Sequence, residues 1–243
     1  MTMPTDELFA ELRTIDTPTI TNVVATYPKN SLCMGLYNPW TENWYTDTSV
    51  RCIYPEHRAV IGYAVTCVYG LPDPNYSGRL TFMDVVDALD ASPKPTILVI
   101  QQKWPPELMR KAGLAGEIMV NSMMAVGCAG LLSNGPSRDV DAIRPLKFQM
   151  LLGGVTAGHG EMAVQAVNVP VSVAGMDVAP GELVHMDENG AVKFPANRAD
   201  TVLSNARAML DHEAELVARL RTARTAADVR AAQGGGTYGA KKP

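Results

Sequence analysis

Apolar residues recur along this chain with two periods, and the periods divide it into helices and strands. Leu8, Phe9 and Leu12 fall on one side of a short helix beginning at Asp6. Thr17-Pro18 ahead of residues 19–26 predicts a second helix, capped by Thr17 with proline at its first position. Residues 82–89 read as a third, with Asp84 and Asp87 three apart on a solvated side. Ile118, Met119, Met123, Met124 and Val126 are spaced as an amphipathic helix of about three turns, entered through Gly113 and Gly116 and ended by Gly127. From Ala196 the pattern is helical again, with Val202, Ala206, Met209, Leu210, Val217 and Leu220 in one stripe. Glu213 falls inside that stripe, where a carboxylate needs a partner.

Between these lie continuous apolar runs at residues 59–68, 96–100, 129–133 and 148–152, which predict buried strands. Asn134-Gly135-Pro136 predicts a turn closing the third run. Shorter strands at 169–173, 183–186 and 191–194, separated by turns at Gly175-Met176-Asp177, Pro180-Gly181 and Glu188-Asn189-Gly190, predict an antiparallel layer in which Glu182 is structural. Residues 28–58 follow neither period. Tyr37, Trp40, Trp44 and Tyr45 stand there among three prolines, over more residues than a connection needs, so a flap over substrate or an arm at a subunit interface is expected.

Composition narrows the class. A chain of 243 residues suffices for one sizeable core, and 47% hydrophobic with 19% charged residues is ordinary for a globular enzyme. A net charge of −4 carries no basic footprint for nucleic acid. Cys33, Cys52, Cys67 and Cys128 lack zinc or disulfide spacing and read as reduced thiols. The first residues are acidic rather than apolar, and no run is long enough to span a bilayer. The expectation is a cytoplasmic enzyme with neither a membrane nor a nucleic-acid partner.

Polar chemistry concentrates between Gly113 and Arg144. Amides at a helix start bind anions, so a carboxylate ligand suits the turn at Gly116. Arg138 offers a planar fork for a carboxylate or keto oxygen. Asp139 and Glu117 offer hard oxygens of the kind that hold Mg²⁺ together with water. The same residues also read as a surface ion pair and a helix-dipole partner. The loop from Gly153 to Gly160 lacks the ending of a phosphate loop, and its His159 reads either as a proton carrier or as a solvated loop histidine.

Gly116-Glu117-Ile118-Met119, Gly127, the strand at 129–133 and Asn134-Gly135-Pro136-Ser137-Arg138-Asp139 together resemble the signature of the RraA-like family. That family includes class II pyruvate aldolases acting on 4-hydroxy-4-methyl-2-oxoglutarate and 4-carboxy-4-hydroxy-2-oxoadipate. Residues 59–66 resemble its G-x-A-x-T strand, and the stretch from Val178 to Pro195 its P-G-D…D-x-x-G-V segment, so the likeness covers roughly residues 15–220. It implies an α/β fold, a β/β/α swivelling-type sandwich forming a single compact domain. Residues 1–58 would be N-terminal helices and arm, 59–220 the catalytic domain with its C-terminal helix, and 221–243 a flexible tail. A homotrimer or homohexamer with sites between subunits is implied as well.

The implied activity is a divalent-metal-dependent lyase. It would cleave a 4-hydroxy-2-oxo acid to release pyruvate, and would decarboxylate oxaloacetate as a side reaction. By the same resemblance Asp139 would hold Mg²⁺ or Mn²⁺ directly and Glu117 through water. The turn at Gly116 and the amides of Ile118 and Met119 would cradle the substrate carboxylate, and Arg138 would pair with the keto oxygen. Glu213, or Glu215 in a shifted register, would reach a neighbouring subunit's site. Two departures leave the substrate open: Asn134 stands where aspartate is common, and Ile100 to Pro106 replaces a shorter, more acidic, glycine-rich link. The family's namesake inhibits an RNA-degrading endonuclease, so a non-catalytic regulator is the other reading, beside a lyase for a different oxo or hydroxy acid. A methyltransferase finds no glycine-rich cofactor turn here.

Overall fold

Strands buried on both faces form the middle layer of the computed structural model, which describes residues 5–27, 29–73, 75 and 79–234. The order across this eight-stranded sheet is β1 (Arg51–Cys52), β5 (Gln149–Val155), β4 (Cys128–Ser137), β3 (Thr96–Lys103), β2 (Val60–Gly70), β9 (Leu183–Asp187) and β10 (Gly190–Phe194). The four apolar runs make the parallel centre, β2 to β5, as expected of strands covered on both sides. The free edge of β2 is shared: β9 pairs with its first residues and β6 (Ala163–Val167), a strand the sequence did not announce, pairs with its last. On its other side Gly62 lets β2 pass close to the entry of β3, since a Cβ there would sit 2.7 Å from the Pro95 carbonyl oxygen.

Alternation along each central strand assigns its faces. Val65, Cys67, Leu98, Ile100, Leu131, Met150 and Leu152 point into a core shared with α3 (Phe82–Ala91) and α5 (Glu117–Ala125). Ala64, Val68, Ile97, Val99, Leu132 and Leu151 point the other way, against the hairpin of β7 (Val171–Val173) and β8 (Met176–Val178). Hairpin, sheet and helices give three layers, β/β/α, as the resemblance implies. A third cluster joins α1 (Asp6–Leu12), α2 (Thr17–Val24) and α7 (Ala199–Thr222) to β9 and β10. Short helices α4 (Pro106–Met109) and α6 (Val140–Ile143) sit in the connections, and α8 (Ala226–Gln233) follows α7.

Several boundaries differ from expectation. The cap of α2 is Asp16, whose carboxylate accepts from the Thr19 amide at 2.8 Å; Thr17 is already helical. Asn134-Gly135-Pro136 is no turn, because β4 runs through it to Ser137 with a shift of register against β5. The turn before β8 is Ala174-Gly175, both at positive φ, and Met176 begins the strand. Trp44 is neither over a substrate nor at a subunit contact. It is 1% exposed and stacks on Tyr37 at 5.4 Å within the α1–α2–α7 cluster, whereas Trp40 is 88% exposed. The expected tail is partly helix, since Thr225 and Asp228 build a capping box for α8; residues 235–243 lie outside the described residues. Only the first half of the α7 stripe is buried, through Met209, and Leu210 and Val217 are exposed.

One buried polar group ties the N-terminal helices to the sheet. His185, fully buried in β9, takes Thr17 Oγ1 at 2.9 Å on Nδ1 and the Leu12 carbonyl at 3.1 Å on Nε2. Asp187 accepts from the Thr17 amide at 2.7 Å. The Leu12 carbonyl requires a proton on Nε2, and in the neutral ring that burial favours, Nδ1 accepts from Thr17. Burial holds the His185 pKa below its ordinary value of 6.5, against the pull of Asp187 and Asp16. The unfolded ring therefore takes a proton that the folded ring refuses, and stability falls as pH drops through that value. Urea unfolding should show a midpoint that declines below about pH 6.5, with a flatter profile for His185→Gln. A native profile as flat as the variant's would overturn this account.

Candidate functional site

The end of β4 is wired to the end of β3 before it reaches the Arg-Asp pair. Asn134 clamps β3 with both ends of its amide: Oδ1 accepts from the Gln102 amide at 2.7 Å, and Nδ2 donates to the Gln102 carbonyl at 3.1 Å. The Gln102 side chain lies over Gly135, where a Cβ would fall 2.2 Å from its Cδ. From there it donates to Ser133 Oγ at 2.9 Å and accepts from Trp104 Nε1 at 2.6 Å. The unusual link at 101–106 and the unusual Asn134 are therefore one structural unit.

Past Pro136, the segment ahead of α5 zips onto β4. The Leu114 amide donates to the Pro136 carbonyl at 3.1 Å and the Arg138 amide to the Ala115 carbonyl at 3.2 Å, an oxygen that the Ser137 hydroxyl also reaches. On the other side the Gly113 amide donates to the Gly158 carbonyl at 3.1 Å, which brings the loop of His159 alongside. His159 itself is exposed, and its ring contacts only the neighbouring Gly160 carbonyl among the described residues.

The side chains of Arg138 and Asp139 meet the backbone of Glu117 at the start of α5. Asp139 is left-handed, φ 59 and ψ 33, a conformation that costs a non-glycine residue about 1 kcal/mol or more and turns its carboxylate back to the helix. Its Oδ2 accepts from the Glu117 amide at 3.1 Å and lies 3.5 Å from Arg138 Nε. Gly116 supplies no cap of its own, and a side chain there would displace the carboxylate, since a Cβ would stand 2.4 Å from that oxygen. Asp139 thus caps α5 from across the chain. Ile118 and Met119 carry the next amides, and Val120 is the first whose amide bonds back, to Gly116.

The pair remains half-open to solvent, with side chains 36% and 38% exposed, and Glu117 is exposed. Ile118 is 84% exposed beside them, and Val155, paired in register with Ser137, is exposed too. No group of three or more His, Cys, Asp or Glu gathers among the described residues in a way that could hold a metal. Two carboxylates at one helix start, one with Oδ2 already committed, still suit a hard cation that keeps most of its water. Glu213 is not brought to this group within one chain: it lies on α7, which packs on α1 and α2. Glu215, on the same helix, is exposed.

The parts that sequence reasoning missed are the supporting ones: Gln102, Trp104, Ser133 and Ser137. Their only signal was position, polar residues at the ends of two adjacent apolar runs. Among the described residues no helix is long and apolar enough to cross a membrane.

Comparison with known proteins adds three findings. The family model described as RraA-like, Aldolase/RraA, matches residues 37–193. A protein of Halalkalibacterium halodurans named "Putative 4-hydroxy-4-methyl-2-oxoglutarate aldolase" is 30% identical over 95 residues, 39% of this chain and 45% of that protein. Protein DlpA of Legionella pneumophila is 24% identical over 147 residues, 60% of this chain and 23% of that protein. The chain thus spans less than half the length of either relative. Among solved structures, an uncharacterized protein of Pseudomonas syringae superposes with a TM-score of 0.72 at 19% identity, over 97% of this chain and 96% of its own. Streptomyces coelicolor RraAS2, described as an unusual member of the RNase ES inhibitor RraA protein family, gives 0.65 at 21% identity, over 88% and 96%. Both share the fold.

The double clamp by Asn134 makes one prediction. Asn134→Asp keeps the acceptor for the Gln102 amide but sets a carboxylate against the Gln102 carbonyl. Stability should fall by about 1–3 kcal/mol, read as a lower urea midpoint at neutral pH, and should partly return near pH 3 as the new carboxyl gains its proton. An unchanged midpoint would mean the amide's donor is idle.

Proposed function

The chain belongs to the RraA-like family, and from that footing we propose that it is a divalent-metal-dependent carbon–carbon lyase. It cleaves a 4-hydroxy-2-oxo acid to pyruvate, and it decarboxylates oxaloacetate as a side activity. The observation that carries this reading is the convergence at the start of α5, where a guanidinium, two carboxylates and open helix amides share one half-exposed corner.

In this reading the Ile118 and Met119 amides, next to Gly116, receive the substrate carboxylate, and Arg138 pairs with the 2-keto oxygen. Asp139 holds Mg²⁺ or Mn²⁺ directly and Glu117 holds it through water. A cation bound there supplies positive charge against the oxygen that becomes negative. When the C3–C4 bond breaks, its electrons pass into the pyruvate enolate, and Arg138 stabilises that oxygen as charge develops. The 4-hydroxyl must lose its proton as its carbon becomes a carbonyl, Glu117 passes that proton to water, and water returns a proton to C3 of the enolate to complete pyruvate. Oxaloacetate losing CO₂ generates the same enolate, which is why the two activities belong together.

Glu213 enters from a second copy. The exposed Ile118 and Val155 beside the site, and the exposed Leu210 and Val217 on α7, are apolar surfaces that a homotrimer or homohexamer would cover. The unit formed by Asn134, Gln102 and Trp104 favours a second reading within the same chemistry, a lyase for a different oxo or hydroxy acid. A regulator that binds an RNA-degrading enzyme is the reading outside it.

The test is pyruvate release from 4-hydroxy-4-methyl-2-oxoglutarate and from oxaloacetate, with Mg²⁺ or Mn²⁺ and then with chelator. Turnover of both that chelator abolishes is expected. Arg138→Ala should lower kcat/KM by about two decades or more. Gly116→Ala, whose methyl displaces Asp139, should lower it as well. A folded, metal-loaded protein silent on both substrates would move the reading to another oxo acid. Near-normal activity in Arg138→Ala would remove the assignment of that residue.

A further inference from the structure

The opposite end of the same βα unit holds a second cleft. It has a volume of about 500 Å³ and is lined by the first residue of β2, Val60, and the first two of β4, Cys128 and Ala129, with Met124 near the end of α5 and Phe148 just before β5. Since β4 is ten residues long, this cleft lies roughly 30 Å from Arg138. Its rim is cationic: Arg13, Arg58 and Lys147 line it together with His57, against one acid, Glu56. Glu56 is already engaged, by Arg144. None of the three cations forms a salt bridge among the described residues.

Two buried donors or acceptors at this cleft also lack a partner. Arg13 Nε and His57 Nδ1 are shielded from solvent without a hydrogen bond, although such atoms are ordinarily satisfied. His57 is held in place by its amide bond to the Tyr54 carbonyl, 3.0 Å, and by the tilted contact of the two rings at 5.0 Å. Lys147 is fixed by a left-handed backbone, φ 57, at the end of the turn before β5. At the end of α5 the Met123 and Met124 carbonyls accept from the Val126 and Gly127 amides rather than from these cations. The one acid that lines the cleft, Glu56, is paired with Arg144, so among the described residues no carboxylate is bridged to the three.

We infer that this cleft binds a small organic anion: a phosphate or carboxylate head among Arg13, His57, Arg58 and Lys147, and an apolar body against Val60, Met124 and Phe148. The volume is that of a small-molecule site, mostly apolar with a few polar groups at one side. It is separate from the Arg138 corner, and it stands whether or not the lyase reading does.

Isothermal titration of the full chain with phenyl phosphate, phenylacetate and inorganic phosphate tests it. Saturable binding with one molecule per chain is expected for at least one of the two organic anions, and the preferred one identifies the head group. The Arg58→Ala/Lys147→Ala double variant changes only exposed side chains and should weaken that binding about tenfold or more. Arg138→Ala should leave it unchanged. The inference fails if neither organic anion binds, if Arg138→Ala abolishes the binding, or if the double variant binds as the native chain does. Inorganic phosphate binding as tightly as phenyl phosphate would overturn the role given to the apolar wall.

Discussion

The carboxylate of Asp139 at the first turn of α5 determines what the rest of the corner has to be. A side chain that caps a helix more than twenty positions earlier in the chain must be delivered across the fold, and each delivery step shows in the structure. Asp139 adopts a left-handed backbone. Gly116 gives up its side chain, because the capping oxygen occupies that space. Residues 113–116 lie bonded along the end of β4, and β4 continues straight through a sequence that reads as a turn. The Asp139 cap, the bare Gly116 and the bonded approach along β4 are thus parts of one arrangement, in which Arg138 and Asp139 form a half-exposed ion pair. The αL residue and the cap together also orient Arg138, whose Nε shares the same oxygen.

A rigid corner needs a rigid frame, and the three layers supply it by different means. The central strands are held by apolar burial on both faces, which is insensitive to pH. The helices α1, α2 and α7 are held partly by that and partly by the buried ring of His185, which is bonded to Leu12 and Thr17 and whose burial disfavours its charged form. The acid-sensitive joint thus lies at the N-terminal helices, away from the parallel strands that carry the site.

Much of this was legible from pattern. The four apolar runs are the four parallel strands, and the helix entered through Gly116 is α5. The residues of the corner were legible as a group because glycines and charges crowd there. Misreadings arose where a side chain stands in for backbone. Asn134-Gly135-Pro136 has the composition of a turn, yet the Asn134 amide replaces the ladder bonds that the bulged strand lacks, and no local preference encodes a partner 32 positions away. Trp44 was misplaced for a related reason: an irregular aromatic segment carries no period to tell a buried ring from an exposed one. Strand β6 follows a glycine-rich loop and borrows its partner from the edge of β2, again information held elsewhere in the chain.

Two of the chain's departures from its family's pattern are best understood as one. An aspartate in place of Asn134 could accept from the Gln102 amide but could not donate to the Gln102 carbonyl, so it suits a link whose backbone turns away sooner. With asparagine, β3 is held in register to its end, Gln102 is drawn under Gly135, and Trp104 is tied to Gln102 by its indole N–H. The apolar ring is thereby fixed one strand over from Arg138, where a shorter, acidic link would have left room and charge. Under the lyase reading, the two carbons nearest Arg138 are handled by groups at the start of α5. Discrimination among substrates then falls to whatever borders the remainder, and the buried unit of Asn134, Gln102 and Trp104 acts on that border only by fixing the ends of β3 and β4.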